Sequence, residues 1–470
     1  MELADRLNPV FKPESIAVIG ASDKPEKVGY ICLSNLVDAG YKGRIYPVNP
    51  NISEVLGLKG YPSIGAIPDE IDLAVIVIPA QKTVKAIEEC VASGVKAAII
   101  ISSGFRELGT TGGQDLQAQL VKAVGNSGMK IVGPNTLGVV NPRINLLASF
   151  QSSFRFARAG GVSVASQSGG MCSYIVNALT NHNMGISKAI GMGNRCNLDF
   201  DEVVTYLAED EETRVILLYI EGLEQPQKLM KAAREAVKKK PVLVYKGGRE
   251  ESSDQATLSH TGSLAGEHRF YEAAFTQSGM ISVNSLTELV DIAKAVSLQP
   301  AVYGNRVAIL SAQAGGGIII ADRCRETGLL PAKLSTETKT RLREHISPLN
   351  QVDNPVDLAW VGTNFDACIN IIKTVMDDDG VDAVIAATVY YAPSMEMMKA
   401  LIELAKDEIK PVTVCLDSPL GAADAQLKML EKSGIPAYPM PERAVTGMAG
   451  LARWGKIIGD GGVIQRGASQ

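Results

Sequence analysis

VASQSGGMCSYIVNAL (164–179) is the segment of this 470-residue chain that indicates its fold most clearly. A short strand-like run leads into a turn of Ser, Gln and Gly, and then into a segment whose apolar residues recur at helical spacing. The same order of strand, small-residue turn and helix occurs in VIGASDKPEKVG (18–29) and in LSAQAGGGIIIADRC (310–324). Strands that run directly into helices are typical of βαβ units, in which the strands lie parallel in one sheet. The sequence therefore predicts three α/β units in succession.

Each turn opens a set of buried-strand runs that alternate with helical segments. The first set is SIAVIG, GRIYPV, DLAVIVIP, KAAIIIS and MKIVGP, and the two later sets have the same rhythm. NPRINLLASFQSSFRFARAGG (141–161) has no clear period, and SLQPAVYGN (297–305) reads as a linker. We therefore predict three consecutive doubly wound open parallel-sheet domains, at residues 1–145, 155–297 and 304–460.

The amino-acid composition excludes several classes of protein. The chain is 46% hydrophobic and 21% charged, with a net charge of −5 and only 5% aromatic residues, so it has no nucleic-acid-binding signature. Its seven cysteines are scattered without zinc-ligand spacing, which predicts reduced thiols and no metal site. Since no apolar run approaches the ~20 residues that span a bilayer, we expect a soluble cytoplasmic protein that does not bind membranes.

The small-residue turns are candidate anion sites, because ligands of open α/β sheets bind at the carboxyl ends of the strands. A single such turn is as often structural, but three in one chain favour a phosphate-like ligand. The first turn has Gly20 and Gly29 without GxGxxG, and the second strand ends in Asn49 and Pro50 where a dinucleotide site has an acidic residue. An NAD-linked dehydrogenase is thereby excluded. Lys24 and Lys27 in the first turn suit a long, highly phosphorylated ligand.

A histidine on a small-residue loop is the candidate reactive group. His260, one of only four histidines, lies in ATLSHTGSLAGE (256–267), where small neighbours leave the imidazole accessible. It is either a nucleophile or proton carrier, or a solvent-exposed loop residue. Glu221 ends the strand run LLYIEG, where it can orient an imidazole or remain a solvated charge. The other three histidines read as structural.

Several motifs in order give the chain a family resemblance. ESIAVIGAS (14–22), GPNTLG (133–138), SQSGG (166–170), YIEG (219–222), SHTGSLAG (259–266) and DNPVDL (353–358) resemble the α subunit of ADP-forming acyl-CoA synthetases, relatives of succinyl-CoA synthetase. The resemblance implies a Rossmann-like CoA-binding domain followed by two flavodoxin-like ligase domains. It also implies reversible conversion of acyl-CoA, ADP and phosphate to acid, CoA and ATP through an acyl phosphate and a phosphohistidine. His260 matches the phosphorylated histidine and Glu221 the glutamate that orients it.

The resemblance and the strand ends together give the candidate binding residues. The candidates for the phosphate are Ser166, Gln167, Ser168, Gly169, Gly170, Gly315, Gly316 and Gly317. The candidates for CoA are Gly20, Ala21, Ser22, Lys24, Lys27, Asn49, Pro50, Pro79, Ala80, Ser103, Gly104 and Asn135. SAQAGGG departs from the Asn-containing turn expected of the family, and DNPVDL either borders the site or shapes a loop.

The nucleotide-binding part of the family is missing from this sequence. No ATP-grasp region is evident, so the resemblance implies that ADP or ATP with Mg binds a separate ATP-grasp β subunit, in an α2β2 assembly. Acetyl-CoA or a similar short acyl-CoA is the expected substrate. The alternatives are a non-catalytic CoA-binding regulatory scaffold and a succinyl-CoA synthetase-type ligase with a different acid. The histidine and glutamate in matching motifs favour the enzyme.

Overall fold

A computed structural model describes residues 3–249, 268–390, 395–407, 410–419 and 421–459. His260 lies outside the described residues. The chain divides into two compact units between Val283 and Asn284. The first unit contains two large sheets and the second contains one. No helix in these described ranges is long and apolar enough to cross a membrane.

The first sheet has five parallel strands in the order β2-β1-β5-β6-β7. Its central strands are buried on both faces, which explains their unbroken apolar sequences. A small antiparallel pair, β3 and β4, follows β2. The elements are α1 Leu3–Phe11, β1 Ser15–Ile19, α2 Val28–Asp38, β2 Arg44–Val48, β3 Glu54–Val55, β4 Leu58–Lys59, β5 Leu73–Ile76, α3 Ala80–Ala92, β6 Ala97–Ile100, α4 Thr111–Val124 and β7 Lys130–Val132.

The second sheet has seven strands in the order β14-β13-β12-β10-β11-β8-β9. Five are parallel, and the hairpin of β8 and β9 extends the sheet antiparallel beside β11. The stretch read as aperiodic thus supplies an edge of this sheet. The elements are β8 Gly138–Asn141, β9 Leu146–Ser149, β10 Ala159–Ser166, α5 Gly169–Asn181, β11 Ile186–Gly191, α6 Phe200–Glu209, β12 Val215–Ile220, α7 Pro226–Ala236, β13 Val242–Lys246, α8 His268–Gln277 and β14 Ile281–Val283.

The second unit contains a six-stranded parallel sheet in the order β16-β15-β18-β19-β20, with β17 beside β15. Asp291 on its first helix binds Arg443 of its last helix, with Oδ1 2.6 Å from Nη2. The elements are α9 Leu286–Leu298, β15 Arg306–Ser311, α10 Ala314–Glu326, β16 Leu330–Pro331, α11 Thr336–Arg343, β17 Val356–Asp357, α12 Phe365–Met376, β18 Ala383–Val389, α13 Met395–Leu404, β19 Val412–Asp417, α14 Asp424–Lys432, β20 Ala437–Tyr438 and α15 Pro441–Gly459.

The three sheets share one strand order. When the parallel strands of each sheet are counted in chain order, with the short β17 left aside, the order is 2-1-3-4-5 every time. This confirms the predicted succession of doubly wound sheets. In such a sheet the strand order reverses beside the first strand, where ligands bind at the carboxyl ends. The three small-residue turns follow those first strands. The domain limits 1–145, 155–297 and 304–460 stay a prediction.

Helix α1 helps to connect the two sheets of the first unit. The ring of Phe11 at the end of α1 stacks on Tyr206 of α6, with centroids 4.9 Å apart. Asn141 of β8 donates from Nδ2 to the Phe11 carbonyl oxygen at 3.0 Å.

A buried ion pair lies in the second sheet, where Lys188 of β11 is 1% exposed and binds Asp210 Oδ2 at 2.6 Å. Burial alone raises the pKa of Asp210, but hydrogen bonds from Lys188 and the Thr213 hydroxyl outweigh it and lower the pKa.

Candidate functional site

The turn after β1 is built so that backbone groups face the carboxyl end of the first sheet. Gly20 has a φ of +93°, and a Cβ there would lie 2.7 Å from Ile78 Cγ2. A Cβ on Gly29, in the first turn of α2, would lie 2.0 Å from the Gly20 carbonyl oxygen. Only glycine fits at either position, and the turn packs closely against the helix it precedes.

This turn borders a cleft of about 1130 Å³ that extends along the first sheet to the start of α5. Both ends of the cleft lie in the first compact unit. Thirteen of the candidates line it: Gly20, Ala21, Ser22, Lys24, Lys27, Asn49, Pro79, Ser103, Asn135, Gln167, Ser168, Gly169 and Gly170. Pro50, Ala80, Gly104 and Ser166 are not among the lining residues. Nine candidates for CoA and four for phosphate therefore meet in one cavity, whereas Gly315, Gly316 and Gly317 do not line it.

Some candidates shape the cleft through their own hydrogen bonds. Asn49 donates from Nδ2 to the Ala21 carbonyl oxygen at 2.7 Å and accepts from the Asn51 N–H at 2.9 Å. Its amide thus fixes the turn after β1 against the end of β2. Lys24 and Lys27 are exposed at the mouth, which leaves their ammonium groups available to anionic ligands.

The start of α5 forms the other end of the cleft. Ser166 donates from Oγ to the Ser168 carbonyl oxygen at 2.7 Å, which closes the turn. Ser168 caps the helix, since its Oγ accepts from the Met171 N–H at 3.4 Å. A Cβ on Gly170 would meet no atom nearer than 3.9 Å. Gly169 and Gly170 line the cleft, so the start of α5 borders it as an anion site at a helix N-terminus requires.

Glu221 lies directly beside this helix start. It follows β12, is 7% exposed, and its backbone N–H donates to Gln167 Oε1 at 2.9 Å. The Tyr219 ring, two residues earlier, stacks on Tyr245 with centroids 5.7 Å apart. Burial raises the pKa of the Tyr219 phenol, and the nearby Glu221 carboxylate raises it further. A carboxylate held at a strand end next to an anion-ready helix is suited to orienting an imidazolium or imidazole.

A polar cluster joins the loops around the cleft. Arg106, after β6, donates from Nη2 to the Asn194 carbonyl oxygen at 2.6 Å and pairs with Glu224. Asn194 Nδ2 in turn donates to Gln117 Oε1 at 3.0 Å and to Glu107. Asn194 itself lines the cleft. The cluster therefore ties the ligand-facing loops of the first sheet to the segment that follows Glu221.

The second unit repeats the turn with a different cap. Ser311 donates from Oγ to the Gln313 carbonyl oxygen at 2.6 Å, as Ser166 does to Ser168. Gln313 makes no side-chain cap on α10, and a Cβ on Gly315 would meet nothing within 4 Å. Gly317 instead faces packing, because a Cβ there would lie 3.0 Å from Pro355 Cβ. The SAQAGGG turn thus lacks the side-chain cap that Ser168 gives α5 and keeps the same backbone closure.

DNPVDL shapes its loop. Asn354 donates from Nδ2 to the carbonyl oxygens of Val307 at 2.8 Å and Ala332 at 2.9 Å, while Oδ1 accepts from the Ile309 N–H at 2.8 Å. Its side chain therefore connects β15 to the segment after β16. This supports the structural alternative for the motif.

Known proteins match this architecture. A model of the "CoA binding domain" family matches residues 14–142, and a model described as "Succinyl-CoA ligase like flavodoxin domain" matches residues 159–296. The chain is 38% identical over 459 residues to the α subunit of acetate–CoA ligase (ADP-forming) II from Pyrococcus furiosus, covering 96% of this chain and 98% of that one. The chain belongs to the family of ADP-forming acyl-CoA synthetase α subunits.

Other members of this acyl-CoA synthetase family differ in length and in the acid they are named for. A 4-hydroxybutyrate–CoA ligase (ADP-forming) from Nitrosopumilus maritimus is 33% identical over 95% of this chain, which corresponds to 64% of the relative. The dinucleotide-forming acetyl-coenzyme A synthetase 1 of Ca. Korarchaeum cryptofilum, solved with phosphate and ADP, has a TM-score of 0.89. It is 31% identical and the match covers 98% of this chain and 99% of that one.

Sequence reasoning missed part of this synthetase α subunit's cleft. The unpredicted lining residues are Asp23, Val28, Gly29, Asn51, Ile52, Val77, Ile78, Ile101, Ser102, Thr136, Leu137, Phe150, Gly193 and Asn194. GMGNRCN (191–197) has a recognisable signal, since it is a small polar turn at the end of a buried strand. Phe150 has none, because it follows a hairpin that the sequence did not predict.

Proposed function

We propose that this α subunit converts acyl-CoA, ADP and phosphate to acid, CoA and ATP, reversibly, with acetyl-CoA or a similar short acyl-CoA as substrate. The observation that supports it is the single cleft that joins the turn after β1 to the start of α5, with Glu221 hydrogen-bonded to Gln167 beside it. CoA takes the first end, where Lys24 and Lys27 meet its phosphates. The thioester then reaches the second end.

In the first step, a phosphate oxygen attacks the thioester carbonyl carbon and the C–S bond breaks. CoA leaves as a thiolate that takes up a proton, and the product is an acyl phosphate. The N–H groups at the start of α5 stabilise the negative charge of the phosphoryl group. In the second step, a His260 ring nitrogen attacks phosphorus, the P–O bond to the acyl group breaks, and the acid leaves as a carboxylate.

The phosphoryl group then passes from His260 to ADP. We assign ADP or ATP, with Mg, to a separate ATP-grasp β subunit in an α2β2 assembly. Glu221 orients His260 and stabilises the charge that forms on the ring. A loop that delivers a phosphoryl group elsewhere requires small residues, as ATLSHTGSLAGE provides.

Phosphorylation of His260 is the decisive test. The chain is incubated with [³²P]acetyl phosphate, alone and with the ATP-grasp subunit, and an acid-labile, alkali-stable phosphoryl group is located by mass spectrometry. We expect label on His260, none in His260→Ala, and normal label in His345→Ala as the matched control. Glu221→Gln should slow labelling and leave CoA binding intact. A chain that binds CoA and takes no label is a regulatory scaffold.

A further inference from the structure

The Gln167 side chain binds the backbone directly after the neighbouring strand β12. Its Oε1 accepts from the N–H of Glu221 at 2.9 Å and from the N–H of Gly222 at 3.1 Å. The Gln167 N–H donates to the Tyr219 carbonyl oxygen at 2.9 Å. Both partners of the side chain are N–H donors, so the amide atom that accepts from them must be the oxygen. This fixes which atom of the Gln167 carboxamide is Oε1 and which is Nε2.

Arg195 holds the same segment from the other side. Its Nη2 donates to the Gly222 carbonyl oxygen at 3.0 Å, and its Nη1 binds Asp199 Oδ1 at 2.7 Å. The Arg195 side chain is 1% exposed, so these bonds are shielded from water. Gly222 is therefore bound at its N–H by Gln167 and at its C=O by Arg195, directly after Glu221.

The second unit shows that the turn itself does not need this glutamine. Ala312 occupies the position after β15 that Gln167 occupies after β10, and its N–H donates to the Ala387 carbonyl oxygen at 2.9 Å. Ser311 and Gln313 close that turn at 2.6 Å, as in the first unit. An alanine thus supports the same backbone turn, so the Gln167 carboxamide is not required to close it.

The other polar atom of the Gln167 carboxamide is the nitrogen Nε2. With Oε1 bound to two N–H groups, the carboxamide can offer only Nε2 to the cleft that Gln167 lines, and Nε2 makes no hydrogen bond to other residues in the described part of the chain. Nε2 is a donor, which suits an anionic oxygen.

We propose that Gln167 positions Glu221 through Oε1 and, in the orientation this imposes, presents Nε2 to the anionic oxygen of the acyl phosphate or phosphate in the cleft. The inference rests on the proposed function, since it assigns a positioning residue to the glutamate that orients His260. The amide of Gln167 thereby connects ligand binding in the cleft, through Nε2, to the position of the Glu221 carboxylate, through Oε1.

Two variants separate the two ends of the amide. Gln167→Met removes the acceptor at nearly the same length, so the N–H groups of Glu221 and Gly222 lose their partner. We expect labelling of His260 by saturating acetyl phosphate to slow by roughly 10- to 100-fold, the loss that follows when a reacting group is misplaced by ~1 Å. Gln167→Glu keeps an oxygen for both N–H groups but replaces the Nε2 donor by an oxygen. It should recover most of the maximal rate and raise the half-saturating acetyl phosphate concentration by about 10-fold.

Gln299→Met is the matched control. The Gln299 carboxamide also joins two backbone groups, accepting from the Val412 N–H at 3.1 Å and donating to the Gly434 carbonyl oxygen at 2.5 Å, far along the chain from the cleft. It should label at the rate of the unaltered chain. CoA affinity should be the same in all variants.

Amide hydrogen exchange gives a readout that does not depend on phosphorylation. Gln167→Met should speed exchange at Glu221 and Gly222, and Gln167→Glu should restore protection. Absence of label in the unaltered chain refutes the proposed function, and the exchange data then decide the Gln167 positioning role separately. Full labelling rate or unchanged protection in Gln167→Met overturns the inference, as does a Glu variant with the same defects as Met.

Discussion

Replacing Gly29 by Ala tests whether the close packing of the turn after β1 on α2 makes the CoA end of the cleft. The new Cβ would lie 2.0 Å from the Gly20 carbonyl oxygen, 3.0 Å from the Gly20 carbonyl carbon and 3.3 Å from the Ala21 Cα. All three atoms belong to the backbone, so no side chain can rotate away. Ordinary contacts of a Cβ begin at 3.4 Å, which means that the helix or the turn must withdraw by about 1.4 Å.

The size of the effect follows from this displacement. Forced overlap in a well-packed region costs about 1–3 kcal/mol, so we expect the free energy of unfolding to fall by about 2 kcal/mol. A turn displaced by more than 1 Å loses one hydrogen bond to a charged phosphate group, worth about 1.5–3 kcal/mol. Since 1.4 kcal/mol corresponds to a tenfold change, CoA affinity should fall by about 10- to 100-fold.

Calorimetric titration with CoA and urea unfolding measure the two quantities. Gly112→Ala is the control, because it lies in the first turn of α4 and its Cβ would meet nothing within 4 Å. It should gain about 0.5 kcal/mol of stability and bind CoA normally. If Gly29→Ala binds CoA as tightly as Gly112→Ala does, the turn is not the CoA site and the reasoning from its glycines is wrong.

Three further predictions concern buried groups. Lys188→Met leaves Asp210 without its buried ammonium partner and should cost about 3–5 kcal/mol in urea unfolding, whereas Lys238→Met, from an exposed pair, should cost less than about 1 kcal/mol. Burial alone raises the pKa of Asp378, but hydrogen bonds from the Thr338 hydroxyl and two backbone N–H groups bring it to about 2 from 3.8. The stabilisation is present above pH 3.8 and is lost as the pH falls toward 2, so Asp378→Asn should remove about 1 kcal/mol of that acid-dependent stability, measured by thermal unfolding across this pH range. Burial raises the pKa of all seven cysteine thiols to about 11 or 12, so iodoacetamide at pH 8 should alkylate them only after unfolding, as mass spectrometry would show.

The parallel strands were predictable because they are buried on both faces and read as continuous apolar runs. LLYIEG and SIAVIG correspond to β12 and β1, and the turns that follow the first strands open the helices as expected. The candidates at those strand ends, such as Asn49 and Ser168, line one cleft because parallel strands end at the same edge.

Long-range pairing was not predictable from local pattern. Gly138–Asn141 and Leu146–Ser149 are only four residues each, and they become strands because β11 offers an edge for antiparallel pairing. Likewise, nothing in the sequence shows that Gln167 accepts from Glu221, since the two residues are 54 positions apart. The placement of His260 relative to Glu221 stays a prediction, because the loop lies outside the described residues.

The hairpin of β8 and β9 determines where this chain can be divided for study. The match to the CoA-binding family ends at residue 142, inside the hairpin, yet both of its strands belong to the second sheet. A fragment ending there would retain β8 without β9 or β11 and would present unpaired N–H and C=O groups to other molecules, a route to aggregation. An expression fragment of the whole first compact unit, ending near Val283, keeps every partner of that hairpin.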